Sequence, residues 1–103
     1  AYTFDRITDL VIGTDAIDGP KAVSATQVKK LGSVTTLDQA GIAKLLTATN
    51  FAANGAAVFT YVDQGKTRTF VGLNDAIAGF DSTKDAVIEI TGYTGNINNL
   101  AIV

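Results

Sequence analysis

Ala56-Ala57-Val58-Phe59-Thr60-Tyr61-Val62-Asp63-Gln64-Gly65-Lys66-Thr67-Arg68-Thr69-Phe70-Val71-Gly72-Leu73 is two runs rich in β-branched and aromatic residues, separated by turn formers. In the first run Ala57, Phe59 and Tyr61 alternate with Val58, Thr60 and Val62, the period of two that sends successive side chains to opposite faces of a sheet. Asp63-Gln64-Gly65-Lys66 reads as a hairpin turn, and Thr67 to Leu73 as its return strand. A third run, Asp85 to Thr91, sets Ala86, Ile88 and Ile90 on one face. Three such strands joined in sequence predict an antiparallel meander.

Upstream, the period lengthens. Thr36-Leu37-Asp38-Gln39 has the form of a capping box, and Leu37, Ile42, Leu45 and Leu46 follow at helical spacing to about residue 48. Gly41 inside this pattern costs up to about 1 kcal/mol relative to Ala, which points to a close approach by another backbone. Ser24-Ala25-Thr26-Gln27 offers a second capping box, with Val28 and Leu31 as the apolar edge of a short helix that Gly32 ends. Before it, Phe4 to Gly13 reads as a strand, and Gly13 to Pro20 as a loop anchored by Ile17. The expected fold is therefore α+β: an antiparallel meander of about four strands, with two short helices inserted after the first strand.

The chain has 103 residues, 47% of them hydrophobic, enough for one core, so residues 1–103 are expected to form a single domain. No apolar run approaches the roughly 20 residues of a membrane-spanning helix. There is no Cys and no His, which removes the thiolate and imidazole metal sites and the commonest general base. Ser24, Thr35 and Thr36 stand in helix caps with no base to activate them, so the chain reads as non-catalytic. Lys and Arg are spread singly apart from Lys29 and Lys30, and with a net charge of −2 no nucleic-acid partner is implied. Met is absent and the chain opens on Ala1, which suggests excision from a longer product.

The acidic side is unusual in kind, with nine Asp against one Glu, Glu89. Asn74 to Lys84 is a longer connection than a hairpin needs, and it can be laid on a calcium loop. With Gly79 at the sharp-turn sixth position, Asn74 becomes position one and Asp85 position twelve, and Asp75 lies beside the first ligand. Ala76 and Ala78 then fill two ligand positions without a side-chain oxygen, so turn formation outweighs calcium binding as the reason for these residues. A calcium ion held here would bind weakly, near about 10⁻⁴ to 10⁻³ M. Asp5, Asp9, Asp15 and Asp18 form a second acidic group along a strand and its loop, where strand-edge and turn roles compete with metal ligation.

Phe4-Asp5-Arg6-Ile7-Thr8-Asp9-Leu10-Val11-Ile12-Gly13-Thr14-Asp15-Ala16-Ile17-Asp18 resembles the segment that follows the calcium-binding repeats in serralysin-like and hemolysin-type proteins. Thr69 to Asp75, then Gly79-Phe80, then Asp85 to Gly92, and finally Asn98-Asn99-Leu100-Ala101-Ile102-Val103, resemble the bluetail domain that ends many cyanobacterial proteins of that repeats-in-toxin group. The resemblance implies an extracellular or cell-surface domain at the C-terminus of an exported protein, behind a β-roll of glycine- and aspartate-rich nonapeptides. It implies that Asp5, Asp9, Asp15 and Asp18 help close the last calcium site of those upstream repeats. It also implies a type I exporter as partner, recognising Leu100, Ala101, Ile102 and Val103, although Asn99 replaces the acidic residue that often precedes such a tail. A second reading is a calcium-dependent module that holds the protein to the cell envelope or to a polysaccharide.

Overall fold

The computed structural model describes residues 5–19, 21–81 and 84–103. Phe4 of the first expected strand, Pro20 of the following loop, and Ser82 and Thr83 of the long connection lie outside the described residues. The chain forms a five-stranded mixed sheet in the order β1-β5-β4-β3-β2, with β1 at Asp5–Arg6, β2 at Lys29–Ser33, β3 at Ala56–Asp63, β4 at Lys66–Leu73 and β5 at Ala86–Glu89. Beside it are one α-helix, α1, at Gln39–Leu45, and a 3₁₀ turn at Ile97–Asn99.

This corrects the expected α+β meander of about four strands with two short helices. The inner strands β3, β4 and β5 run antiparallel, in the register Phe59↔Phe70 and Phe70↔Glu89. The outer two, β1 and β2, are added in parallel, to β5 and β3. The turn between β3 and β4 has positive φ at both Gln64 (50°) and Gly65 (80°), the backbone whose twist matches that of the flanking strands.

Physical reasons for the differences lie in short segments. The expected helix after Ser24 is a single turn, in which Gln27 and Val28 donate to the Ser24 carbonyl, before the chain straightens into β2. A helix would put Val28 and Leu31 on one side, whereas Val28 enters one core and Leu31 packs on the other. One turn with two apolar residues does not offset the cost of helix nucleation, and the β3 edge supplies the backbone partners instead. The expected first strand breaks at Thr8-Asp9 because Ile7, Leu10 and Ile12 all contact one core, and the step from 7 to 10 violates a period of two.

In α1 the cap is Asp38, whose Oδ1 accepts from the Gly41 amide at 2.7 Å and from the Thr36 hydroxyl at 3.0 Å. A Cβ on Gly41 would collide with the Thr36 carbonyl and hydroxyl oxygens, which is the close backbone approach that requires glycine there.

Each sheet face has its own core. One face carries Ala57, Phe59, Phe70 and Val87, covered by Val34, Ile42, Leu46 and Phe51, and the Phe59 and Phe70 rings stack at 5.3 Å. The other carries Ala56, Val58, Val71 and Leu73, covered by Leu10, Ile12, Ile17, Val23, Leu100 and Ile102. This second cover is built from the two ends of the chain and, among the described residues, contains no α-helix.

Candidate functional site

The residues singled out by sequence fall in three places. Leu100 to Val103, the apolar tail, lies between two parts of the N-terminal half. The Ile102 amide and carbonyl both pair with Val23 at 2.9 Å, while Val103 donates to the Ile17 carbonyl at 2.9 Å and accepts from the Gly19 amide at 3.0 Å. The tail is thus antiparallel to Val23 and parallel to Ile17. Leu100 (3% exposed) and Ile102 (2%) are inserted into the core, Ala101 is half-buried, and Val103 is 58% exposed. A Cβ on Gly19 would approach Ile102 Cγ2 to 2.6 Å, so the slot is shaped for this tail.

Asn74, Asp75 and Asp85 come together in the connection between β4 and β5. Asn74 is 1% exposed, and its Nδ2 donates to the carbonyls of Phe51 and Ala52, both at 2.9 Å. Its Oδ1 accepts from the Asp75 amide at 2.8 Å. Asp85 Oδ1 accepts from the Asp75 amide at 3.0 Å and Oδ2 from the Asp81 amide at 2.7 Å, while Asp75 Oδ1 accepts from Ile77. Burial pushes the Asp85 carboxyl above its ordinary range, against the two amides, and the Asp75 charge adds to the rise. Backbone N–H groups thus face these oxygens where a calcium loop would present them to the ion. The residues act as ties that fold the connection onto Phe51.

The four N-terminal carboxylates are dispersed. Asp5 lies in β1, opposite Ile88, and Asp15 Oδ2 accepts from the Val11 amide at 2.9 Å. Asp9 and Asp18 are exposed. Among the described residues no three acidic side chains gather into a group able to hold a metal ion. Asp5, Asp9, Asp15 and Asp18 by themselves thus form no such group among the described residues.

The most concentrated polar cluster centres on Glu89, which the sequence reading passed over. Glu89 shares a face with Phe70 and stands directly across from Arg6 on β1. Arg68 grips it with two bonds, Nε to Oε2 at 2.9 Å and Nη2 to Oε1 at 2.8 Å. Arg6 Nη2 adds a bond at 3.0 Å and the Thr91 hydroxyl another at 2.7 Å. Thr91 in turn accepts from the Thr69 amide, and the Arg68 guanidinium lies 5.4 Å from the centre of the Phe70 ring. Arg68 holds the Glu89 carboxyl down to about 2, with Thr91 and Arg6 contributing, against the opposing effect of burial. The available signal was the one long carboxylate of the chain, on the strand parity of Arg68. The cluster is saturated internally, and it fastens β1 to the sheet.

No helix among the described residues is long and apolar enough to cross a membrane. No family model matches the chain, and no curated protein or solved structure is significantly similar to it.

Proposed function

We propose that the chain is a non-catalytic C-terminal domain of a secreted calcium-binding repeats-in-toxin protein, and that it caps the upstream β-roll and carries the type I export signal in Leu100, Ala101, Ile102 and Val103. The observation that carries this reading is the joining of the two segments that resemble that family. Asp5 to Asp18 and Asn98 to Val103 are far apart in sequence, yet Ile17 bridges to Ile102, and Val11 to Thr94 just upstream of the tail. The segment that would follow the repeats and the segment that would be exported first are thus parts of one layer over one core.

β1 supports the capping role. It is one of the two outer strands of the sheet, parallel to its neighbour and exposed at both residues, and the Glu89 cluster holds it in place. A strand fixed in this way is a firm base for a preceding parallel coil, and a calcium site closed by any of Asp5, Asp9, Asp15 and Asp18 would draw most of its oxygens from the repeats. The domain works outside the cell or at its surface, and calcium there favours the folded protein by mass action on the roll.

The test is export of a reporter fused ahead of residues 1–103, in cells that have or lack a type I exporter. Exporter-dependent appearance in the medium is the expected result. A fusion retained inside exporter-bearing cells overturns the delivery role.

A further inference from the structure

We propose that the slot formed by Ile17, Gly19 and Val23 is a strand-accepting binding site whose ligand is the C-terminal tail, docked as a separable element, so that the slot also takes the tail of a second copy of this chain. The inference concerns the folded domain and stands whether or not an exporter reads the tail.

The hydrogen bonds support it. Among the described residues, the four backbone bonds of Ile102 and Val103 all go to Ile17, Gly19 and Val23, and none of them joins β1 to β5. Two of the slot's groups are donors, the amides of Gly19 and Val23, and two are acceptors, the carbonyls of Ile17 and Val23, an arrangement that recognises an extended backbone of any source. Two side chains supply specificity, Leu100 and Ile102, alternate residues that enter the same core.

Sterics make the fit particular. A Cβ on Gly19 would come within 2.6 Å of Ile102 Cγ2, so any larger residue there would press on the ligand. Upstream, Gly95 has φ of 95°, a backbone conformation that favours glycine, and marks where the chain turns before the 3₁₀ segment at Ile97–Asn99 leads into the tail. Undocking breaks four backbone hydrogen bonds and uncovers Leu100 and Ile102, while the β3-β4-β5 ladders keep their own partners. That is the pattern of a local opening below the global unfolding free energy.

The test is amide hydrogen exchange on the full chain. In Gly19→Ala, whose new methyl would crowd Ile102 Cγ2, the amides of Val23, Ile102 and Val103 should exchange about tenfold faster or more, with Phe70 and Val71 unchanged. In the full chain carrying Leu100→Asp and Ile102→Asp, the tail is expelled. A synthetic peptide of residues 96–103 with the natural sequence should then restore protection of the Val23 amide, and the same peptide with Ile102→Asp should not. Loss of Phe70 and Val71 protection together with the tail, in either variant, overturns separability. Failure of the natural peptide to protect Val23 overturns the binding site.

Discussion

Ile102 Cγ2 lies only 2.6 Å from where a Cβ on Gly19 would be, so the last apolar side chain of the core is seated on the one residue type that leaves it room. This contact joins the two ends of the chain and makes the tail part of the cover over Val58, Val71 and Leu73. A segment read from sequence as an apolar signal is a structural element of the folded domain. The folded domain conceals Leu100 and Ile102, whereas the unfolded chain presents them.

Truncating either side chain should therefore weaken the fold. Leu100→Ala and Ile102→Ala are each expected to cost about 2 to 4 kcal/mol, the range for removing a buried aliphatic side chain. Val103→Ala, at an exposed position, should change stability by less than about 0.5 kcal/mol. Urea unfolding of the three variants checks this, and equal effects at all three positions would contradict the burial pattern.

Gly41→Ala gives a sharper contrast. Helix propensity alone favours Ala over Gly by about 1 kcal/mol, but the added methyl would meet the Thr36 carbonyl oxygen, so the substitution should destabilise the domain. Circular dichroism during thermal unfolding should give a lower Tm for Gly41→Ala. A higher Tm would mean that the Thr36 backbone yields.

Acid should weaken the domain through Glu89. Its carboxyl is held at about 2 in the folded chain against an ordinary value of 4.5, so the folded state binds fewer protons between those values. The stabilisation is fully present above about pH 4.5 and fades as pH falls towards 2, amounting to about 3 kcal/mol in all. Asp85 acts in the opposite sense, since burial raises its folded value, and the stability linked to it declines as pH rises through that value. Glu89→Gln should lower stability at neutral pH by about 3 kcal/mol and flatten the acid slope. Urea midpoints from pH 2 to 7 check the sign, and an unchanged slope in Glu89→Gln would contradict it.

Asn74 and Asp85 should behave as structural ties. Asn74→Ala removes both bonds to the Phe51 and Ala52 carbonyls and should cost about 2 kcal/mol. Because N–H groups face the oxygens of Asn74, Asp75 and Asp85, millimolar calcium added to the isolated domain should leave the amide resonances of residues 74–81 in place. Saturable shifts in that segment would instead establish a cation site there.

The parts of the fold legible in the sequence were those with a strong period and a specific turn. Phe59, Tyr61 and Phe70 alternated around Gln64-Gly65, and the hairpin between β3 and β4 follows from that local pattern. Ile42 and Leu46 marked α1, although the hydroxyl of Thr36 supports the Asp38 cap instead of serving as the cap itself. Parallel addition of β1 and β2 was not legible, since it depends on which open edge a short segment meets, and no residue in Lys29–Ser33 encodes that meeting. The capping box at Ser24 was misleading because cap chemistry fits a single turn as well as a helix. Among the candidate site residues, Asn74, Asp75 and Asp85 were grouped by a loop register and do share a loop, while Asp5, Asp9, Asp15 and Asp18 were grouped by nearness in sequence and belong to no group of three acidic side chains among the described residues. Glu89 was missed because its partners, Arg6 and Arg68, lie 83 and 21 residues away.

The most direct test of the account compares two full-chain fusions in cells bearing a type I exporter. One carries Leu100→Asp with Ile102→Asp, which alters the tail, and the other carries Phe51→Ala, which weakens the opposite core and leaves the tail intact. The account predicts that the tail variant stays inside while the Phe51→Ala fusion reaches the medium, because recognition acts on the tail of the unfolded chain. Export of the tail variant at the native level would contradict it, and so would loss of export in both, which would tie secretion to the stability of the fold and not to Leu100, Ala101, Ile102 and Val103.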